Sequence, residues 1–485
     1  MTAFDRLHPA VQHHIVNSLG WKSLRPLQEA AIGPVLAGHH ALLLAPTAGG
    51  KTEAAVLPVL SRMLSEDWRG LSVIYVCPIK ALINNLAERL AAYAGLFGRR
   101  VGVWHGDIPQ AERARIVREP PDLLLATPES LEVVLVSRRV AHRELFRTLR
   151  VAIVDEIHAF AGDDRGWHLI ALLDRLGHLT ERAPQRLGLS ATVGNAKELL
   201  DWLVAGSPGE RQVVAPDAGP AANADVLVDF VGTIENAAVV ISRLHRGEKR
   251  LVFCDSRTQV ENLASGLRAL GVHTFVSHSS LSVDARRLAE QAFASGENCV
   301  IVATSTLELD IDVGDLDRII QIDAPHSVAS FLQRLGRTGR RQGTRRNCLF
   351  LAIRDEAFLR ALALLRLWAS GYVEPVTPPP LPYQVMAQQV LALTLQEGGA
   401  ERYAWADWLA GFRHATGIGV AEAQALIAYM IDEELLFEAD GLLSVGSGGE
   451  AKYGLRNYLE LFSVFNSPPL YAVLHGRTEI GQVHP

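Results

Sequence analysis

Short unbroken apolar runs alternate with stretches in which apolar residues recur every three or four positions, and this rhythm fills most of residues 41–352. The runs at 41–44, 72–77, 101–104, 123–126, 151–154 and 187–189 predict strands buried on both faces, as in a parallel sheet. The stretches between them, such as 53–64, 80–93 and 167–179, predict amphipathic helices. Strand and helix in strict alternation predict an α/β fold, a doubly wound parallel sheet with helices on both faces. A Pro-, Ala- and Gly-rich stretch at 215–224 predicts a linker. The rhythm then restarts at 250–254, 273–276, 299–303, 318–321 and 347–352, which predicts a second sheet of the same architecture. A proline cluster at 375–382 closes it.

The pattern changes after that cluster. Residues 384–396, 405–416 and 420–433 carry helical periodicity, and 436–445 reads as a hairpin around an Asp440-Gly441 turn. Three helices and a hairpin predict a winged helix, with a generic helical cap as the alternative. An aromatic-rich piece follows Lys452, and 470–473 and 479–483 predict two strands of a β-rich domain that stops short. The expected domains are therefore 1–218, 219–374, 375–455 and 456–485. Two strands alone are marginally stable and leave open edges. The tail is therefore expected to fold back, to lack order, or to dock on a partner chain or second copy. It is read as a truncated form or as a short form completed by another chain.

Composition narrows the function classes. The net charge of −6 excludes a polycation, so nucleic acid would need a local basic groove. The four cysteines, Cys77, Cys254, Cys299 and Cys348, lie in strand-like runs without a Cys-X-X-Cys pair, which predicts buried, reduced thiols. No apolar leader or membrane-length apolar run occurs, so a cytoplasmic protein without a membrane partner is expected. His13, His14, His39 and His40 read as surface histidines, and Trp405 and Trp408, three apart, as core positions of a helix.

The chemistry concentrates in a few segments. Ala45-Pro-Thr47-Ala48-Gly49-Gly50-Lys51-Thr52 follows the first strand and opens a helix. Such a turn cradles phosphates with backbone N–H groups, adds the lysine charge, and offers the threonine hydroxyl to Mg²⁺. The strand Val151-Ala-Ile-Val-Asp155-Glu156-Ile-His158 ends in two acids at the functional end of a parallel sheet. Asp155 there is a candidate Mg²⁺ ligand and Glu156 a candidate base for the attacking water. Gln333-Arg-Leu-Gly-Arg337-Thr-Gly-Arg340 supplies arginines that can neutralise a transferring phosphoryl group. No nuclease-like metal cluster stands out. The candidate catalytic set is Lys51, Asp155, Glu156, Gln333, Arg337 and Arg340.

With these motifs the chain resembles a superfamily 2 DExH-box helicase. Leu24-Arg25-Pro-Leu-Gln28 resembles the Q-motif, which implies ATP, with Arg25 and Gln28 at the nucleotide alongside Asp312. Cys77-Pro-Ile-Lys80-Ala-Leu82 and Ala126-Thr127-Pro128-Glu-Ser130 resemble segments that grip the nucleic-acid backbone. Val252-Phe-Cys-Asp-Ser256-Arg257 and Ala303-Thr304-Ser305-Thr306 resemble their counterparts on the second domain. Ser190-Ala-Thr192 resembles the segment coupling ATP to strand movement, with His158 in the same role.

Finer details resemble the large helicase-related (Lhr) family: Pro78-Ile-Lys-Ala-Leu-Ile-Asn-Asn85, Thr306-Leu-Glu-Leu-Asp-Ile-Asp-Val-Gly314 and Leu459-Glu-Leu-Phe-Ser-Val-Phe465. This resemblance implies two RecA-like domains, ATP and Mg²⁺, and 3′→5′ movement on single-stranded DNA. It also implies unwinding of DNA duplexes or RNA–DNA hybrids, in DNA repair or nucleic-acid processing. A double-stranded DNA translocase or RNA helicase, a motor subunit of a larger nuclease or defence assembly, and a non-enzymatic clamp or scaffold are the alternatives. Ala48 and Asp310 stand where the family has glycine.

Overall fold

The computed structural model describes residues 2–46, 49–216, 224–278, 289, 291–293, 295–296, 298–304, 316–339, 344–453, 471–475 and 478–483. Seven strands form the first sheet: β1 (His40–Leu44), β2 (Val73–Val76), β3 (Val101–Trp104), β4 (Leu123–Ala126), β5 (Val151–Val154), β6 (Gln185–Ser190) and β7 (Arg211–Val214). Their order is β3-β4-β2-β5-β6-β1-β7, with every pair parallel. The six expected runs become the strands they predict because each is almost wholly apolar and sealed by helices on both faces. β7 was not anticipated; it is an edge strand, and its Arg-Gln start leaves no continuous apolar run to read.

Six parallel strands form the second sheet, in the order β10-β11-β9-β12-β13-β8. They are β8 (Ala224–Phe230), β9 (Arg250–Phe253), β10 (Thr274–Ser277), β11 (Val300–Ala303), β12 (Arg318–Ile322) and β13 (Arg346–Ala352). The expectation of a linker to residue 224 is corrected at its end: Ala224 already pairs with Arg346 at the start of β8. β8 alternates half-buried and exposed residues, as an edge strand does, and so hid from a search for buried runs.

The third unit has helices Tyr383–Glu397, Ala410–Thr416 and Val420–Asp432 and a three-stranded sheet in the order β14-β16-β15. The hairpin strands are β15 (Leu436–Ala439) and β16 (Leu442–Val445), and β14 is Ala400–Glu401. The stretch expected as one helix over 405–416 is split at Leu409, into Trp405–Trp408 and Ala410–Thr416. Beyond it, β17 (Tyr471–His475) and β18 (Thr478–Val483) pair antiparallel, as the tail pattern predicts. The tail aromatics Tyr458, Phe462 and Phe465 lie outside the described residues.

The third unit packs on the first sheet domain through one continuous apolar core. Trp167, on the helix Asp164–Leu179, stands edge-on to Phe412 from the third unit and to Trp202. Trp405 is in that core as expected, while Trp408 stacks on His178. A buried polar cluster lies beneath. Glu132 accepts from Arg175 Nη1 at 2.6 Å, from His168 Nε2 at 2.8 Å and from Gln389 Nε2 at 2.9 Å, and Arg175 also donates to Gln396 at 2.7 Å. Burial would raise the Glu132 carboxyl, but the Arg175 charge and the His168 and Gln389 hydrogen bonds outweigh it and hold it down to about 2.

Two smaller readings were settled by packing. All four cysteines are buried, with thiol pKa values raised by burial. His40 is not a surface residue: it is 2% exposed, accepts the Arg186 N–H at Nδ1 and reaches the Pro208 carbonyl from Nε2. Burial lowers its pKa, so it is a neutral core histidine.

Candidate nucleotide site and its link between domains

Strands β5, β6 and β1 are adjacent, and all three point the same way. Their C-terminal ends therefore bring three distant segments to one edge of the sheet: Asp155-Glu156 after β5, Ser190 at the end of β6, and the Gly-rich turn after β1. A cavity of about 470 Å³ opens at that edge. Gly49, Gly50, Lys51, Thr52, Asp155 and Glu156 line it on one side, and Trp21, Lys22, Ser23, Arg25 and Gln28 on the other.

The turn is shaped by its backbone. Gly50 sits at φ +79, where L side chains are strained, and a Cβ there would come within 2.5 Å of Gln28 Nε2. Gln28 is itself pinned, its Oε1 accepting the Arg25 N–H at 2.9 Å. Gln28 and the Gly-rich turn thus lie directly against each other. Thr47 and Ala48 lie outside the described residues.

Lys51 is buried, donates to the Ala45 carbonyl at 3.3 Å and stands 3.7 Å from Glu156 Oε1. Asp155 accepts the Tyr75 hydroxyl at Oδ2, 2.6 Å, and the Glu156 N–H at Oδ1, 2.9 Å. Glu156 adopts φ 47, an uncommon conformation for a non-glycine residue and one that often marks a working site. Thr52 and Asp155 offer hard oxygen donors in one cavity, a set that suits Mg²⁺.

Tyr75, Arg89 and Trp21 were missed in the sequence. Arg89, on the helix Lys80–Gly95, donates to Thr52 Oγ1 at 3.1 Å and stands 3.6 Å from Glu53. No local motif marks these residues; the fold brings Trp21 and Arg89 to the cavity and Tyr75 to Asp155.

The second sheet domain meets this site through His158. Burial lowers the His158 pKa despite the Glu156 carboxylate beside it, with Lys51 adding to the fall. A neutral ring can donate from Nδ1 to Ser190 Oγ at 2.9 Å and accept the Gln333 amide N–H at Nε2, where the atoms are 2.7 Å apart. Gln333 lies on the helix Val328–Leu335 of the second domain. Arg337 follows that helix and is 2% exposed; no described residue of the second domain lines the cavity. Arg340 and Asp312 lie outside the described residues.

The proposed nucleic-acid residues are scattered along the C-terminal ends of both sheets. Lys80 is exposed and bonded to Asp107 at 2.8 Å. Thr127 and Pro128 are buried at the start of the helix Pro128–Val136, where the Thr127 hydroxyl accepts the Ser130 N–H. Ser256 likewise caps the helix Arg257–Ala269, and both Ser256 and Arg257 are exposed. Thr304 is half-buried after β11, while Ser305 lies outside the described residues. Thr192 is exposed beside the buried Ser190.

Comparison with known proteins agrees with this arrangement. Residues 25–199 match the DEAD/DEAH box helicase family, and residues 233–342 match the helicase conserved C-terminal domain. The chain is 34% identical to the Lhr helicase/uracil glycosylase of Escherichia coli, over 73% of this chain and 28% of that protein. It is 30% identical to the ATP-dependent helicase Lhr-Core of Methanothermobacter thermautotrophicus, over 76% of this chain and 46% of that protein. It thus spans less than half the length of these relatives. The structure of Mycobacterium smegmatis helicase Lhr bound to ssDNA and AMP-PNP superposes with a TM-score of 0.78 at 29% identity, covering 93% of this chain and 62% of that one. No helix among the described residues is long and apolar enough to cross a membrane. The chain carries a DEAD/DEAH box helicase domain followed by a helicase conserved C-terminal domain, with Lhr helicases among its relatives.

Proposed function

We propose that the chain is an ATP-driven motor that moves 3′→5′ along single-stranded DNA and opens DNA duplexes or RNA–DNA hybrids. The observation that carries the reading is the His158 bridge: one ring joins the DExH strand, Ser190 and Gln333 of the other sheet domain, so the nucleotide site is mechanically tied to a second body. The relative solved with ssDNA and AMP-PNP supports the choice of ligands.

In this reading Gln28 and Arg25 hold the base, while Gly49, Gly50 and Lys51 hold the phosphates. Thr52 and Asp155 hold Mg²⁺, which supplies charge neutralisation on the phosphates. Glu156 orients the attacking water and takes its proton. Arg337 and Arg340 act when the two sheet domains close. Lys80, Thr127, Pro128, Ser256, Arg257, Thr304 and Ser305 contact the strand through its phosphates, without sequence preference. Thr127, being buried, contributes through its backbone N–H, and Pro128, which has none, contributes by fixing the start of its helix.

A tailed-duplex assay tests this. A duplex with a 3′ single-stranded tail should open in the presence of ATP and Mg²⁺, a 5′-tailed one should not, and binding should weaken steeply as salt rises. Preferential opening of the 5′-tailed duplex overturns the polarity, and ATP hydrolysis indifferent to single-stranded DNA overturns the motor.

A further inference from the structure

Residues 373–376, which leave the second sheet domain, run across the seam between the two sheet domains, and Glu374 touches both sides of it. Its carboxylate accepts the first two N–H groups of the helix Val328–Leu335, Val328 at 2.8 Å and Ala329 at 3.0 Å. The next N–H, of Ser330, goes to the Ser327 hydroxyl at 3.1 Å. The backbone carbonyl of Glu374 accepts the Gly194 N–H at 3.2 Å, two residues beyond the Ser190-Ala-Thr192 segment of the first domain.

Neighbouring atoms lock this crossing. Asn195 donates from Nδ2 to the Val376 carbonyl at 3.0 Å and accepts the Val376 N–H at 2.8 Å. A Cβ on Gly194 would lie 2.2 Å from the Val373 carbonyl oxygen, a backbone atom that could make room only if the strap itself moved. Glycine is required there for the strap to lie this close.

The far end of the same helix carries Gln333, which meets His158, which meets Ser190. The contacts therefore close a loop through both domains: Ser190, Gly194, Glu374, the helix, Gln333, His158 and back to Ser190. The helix cannot shift against the Ser-Ala-Thr segment without breaking the loop somewhere. The two tethers of the helix differ in strength. At one end His158–Gln333 is a single contact beside Glu156, which lines the cavity. At the other, the Glu374 carboxylate accepts two amides at the positive end of the helix, charge-assisted twice over, and the strap reaches the first domain through the Gly194 N–H bond and the two Asn195–Val376 bonds.

We propose that Glu374 is a positioning residue, the pivot that stays engaged while the His158–Gln333 contact makes and breaks with the nucleotide. It sets the angle at which the segment from Gln333 to Arg337 is presented to the ATP site. This rests on the reading of the chain as an ATP-driven motor.

The test combines a distance and a rate. Fluorophores are placed one on each sheet domain, and their separation is measured with and without AMP-PNP and single-stranded DNA. Glu374→Ala should broaden the distance distribution under both conditions. It should lower the DNA-stimulated kcat roughly five- to tenfold while leaving KM for ATP within about twofold. Glu374→Gln should fall between, since its amide oxygen can accept while its NH₂ cannot. Gly194→Ala, which displaces the strap from the other domain, should reproduce Glu374→Ala. A distance distribution unchanged by Glu374→Ala overturns the pivot whatever the rates do. A parallel fall in kcat, apparent ATP affinity and melting temperature also overturns it, as it would mark a merely structural role. A parent chain whose ATPase ignores single-stranded DNA overturns the motor reading alone, and the distance measurement still decides the pivot.

Discussion

The Nε2 atom of His158 stands 2.7 Å from the amide nitrogen of Gln333, a residue 175 positions away on the other sheet domain. With its proton on Nδ1, a neutral imidazole lets the Gln333 amide donate to Nε2, which also stands 3.3 Å from Glu156 Oε2. Burial keeps the His158 pKa below its ordinary value, which supplies that form at neutral pH.

His158→Ala and Gln333→Ala should each lower DNA-stimulated ATP turnover, and the double variant should be little worse than either single one, because they remove one contact. Acidification should act in the same direction. As pH falls through the lowered His158 pKa, a proton occupies the nitrogen that faces the Gln333 amide, so stimulated turnover drops. The folded state also loses stability below the ordinary histidine pKa, since the unfolded chain takes up that proton more readily. A pH–rate profile of Gln333→Ala lacking this acid limb supports the assignment, and an unchanged limb refutes it.

Lys51→Ala should abolish detectable ATP binding, whereas Glu156→Gln should retain binding and slow turnover by about two to three orders of magnitude, the scale for losing one group that acts in the transition state. Nucleotide titration and single-turnover hydrolysis separate the two. Glu156→Gln hydrolysing within about threefold of the parent would exclude Glu156 as the base.

Tyr75→Phe removes a donor from Asp155 without changing the shape of the core. A hydrogen bond to a charged group contributes about 1.5–3 kcal/mol, so a partial loss of aim should slow turnover roughly tenfold. Mg²⁺ titrations followed by bound nucleotide should show a shifted half-saturation. An unshifted curve would mean that the Tyr75 hydroxyl is not needed to hold Asp155 in place.

Arg175→Met strands the Glu132 carboxylate between the first sheet domain and the third unit. Removing one partner of a buried pair costs about 3–5 kcal/mol, and chemical denaturation should show that loss in a single transition shared by both units. Adding Glu132→Gln should recover part of it. A loss below about 1 kcal/mol would mean that water reaches the carboxylate once Arg175 is gone.

Gly50→Ala places a methyl 2.5 Å from Gln28 Nε2 at a φ of +79, so ATP affinity should fall while melting temperature changes little. Equal affinity in the variant would show that the turn can relax around the side chain.

The sequence by itself determined the central strands and the chemistry at their ends. A strand buried on both faces reads as a near-continuous apolar run, so β2, β4, β5 and the apolar stretches of β1 and β6 announce themselves; Lys51, Asp155 and Glu156 follow at short, readable distances, and Ser190 ends β6. Gln333 stood out by its arginine- and glycine-spaced neighbourhood. What the tertiary structure alone decided has no local signature. Edge strands β7 and β8 lack a buried apolar run, and His40 looks like a surface residue until β1 buries it. Tyr75 and Arg89 become part of the site only because β2 lies next to β5 and the helix Lys80–Gly95 packs near Thr52. The Glu132–Arg175 cluster and the Glu374 crossing join residues far apart in the chain. Hydrophobic period and turn chemistry act over a few residues, so they specify which elements form. Which polar groups meet across a seam is set by how those elements pack, and that depends on the whole chain at once.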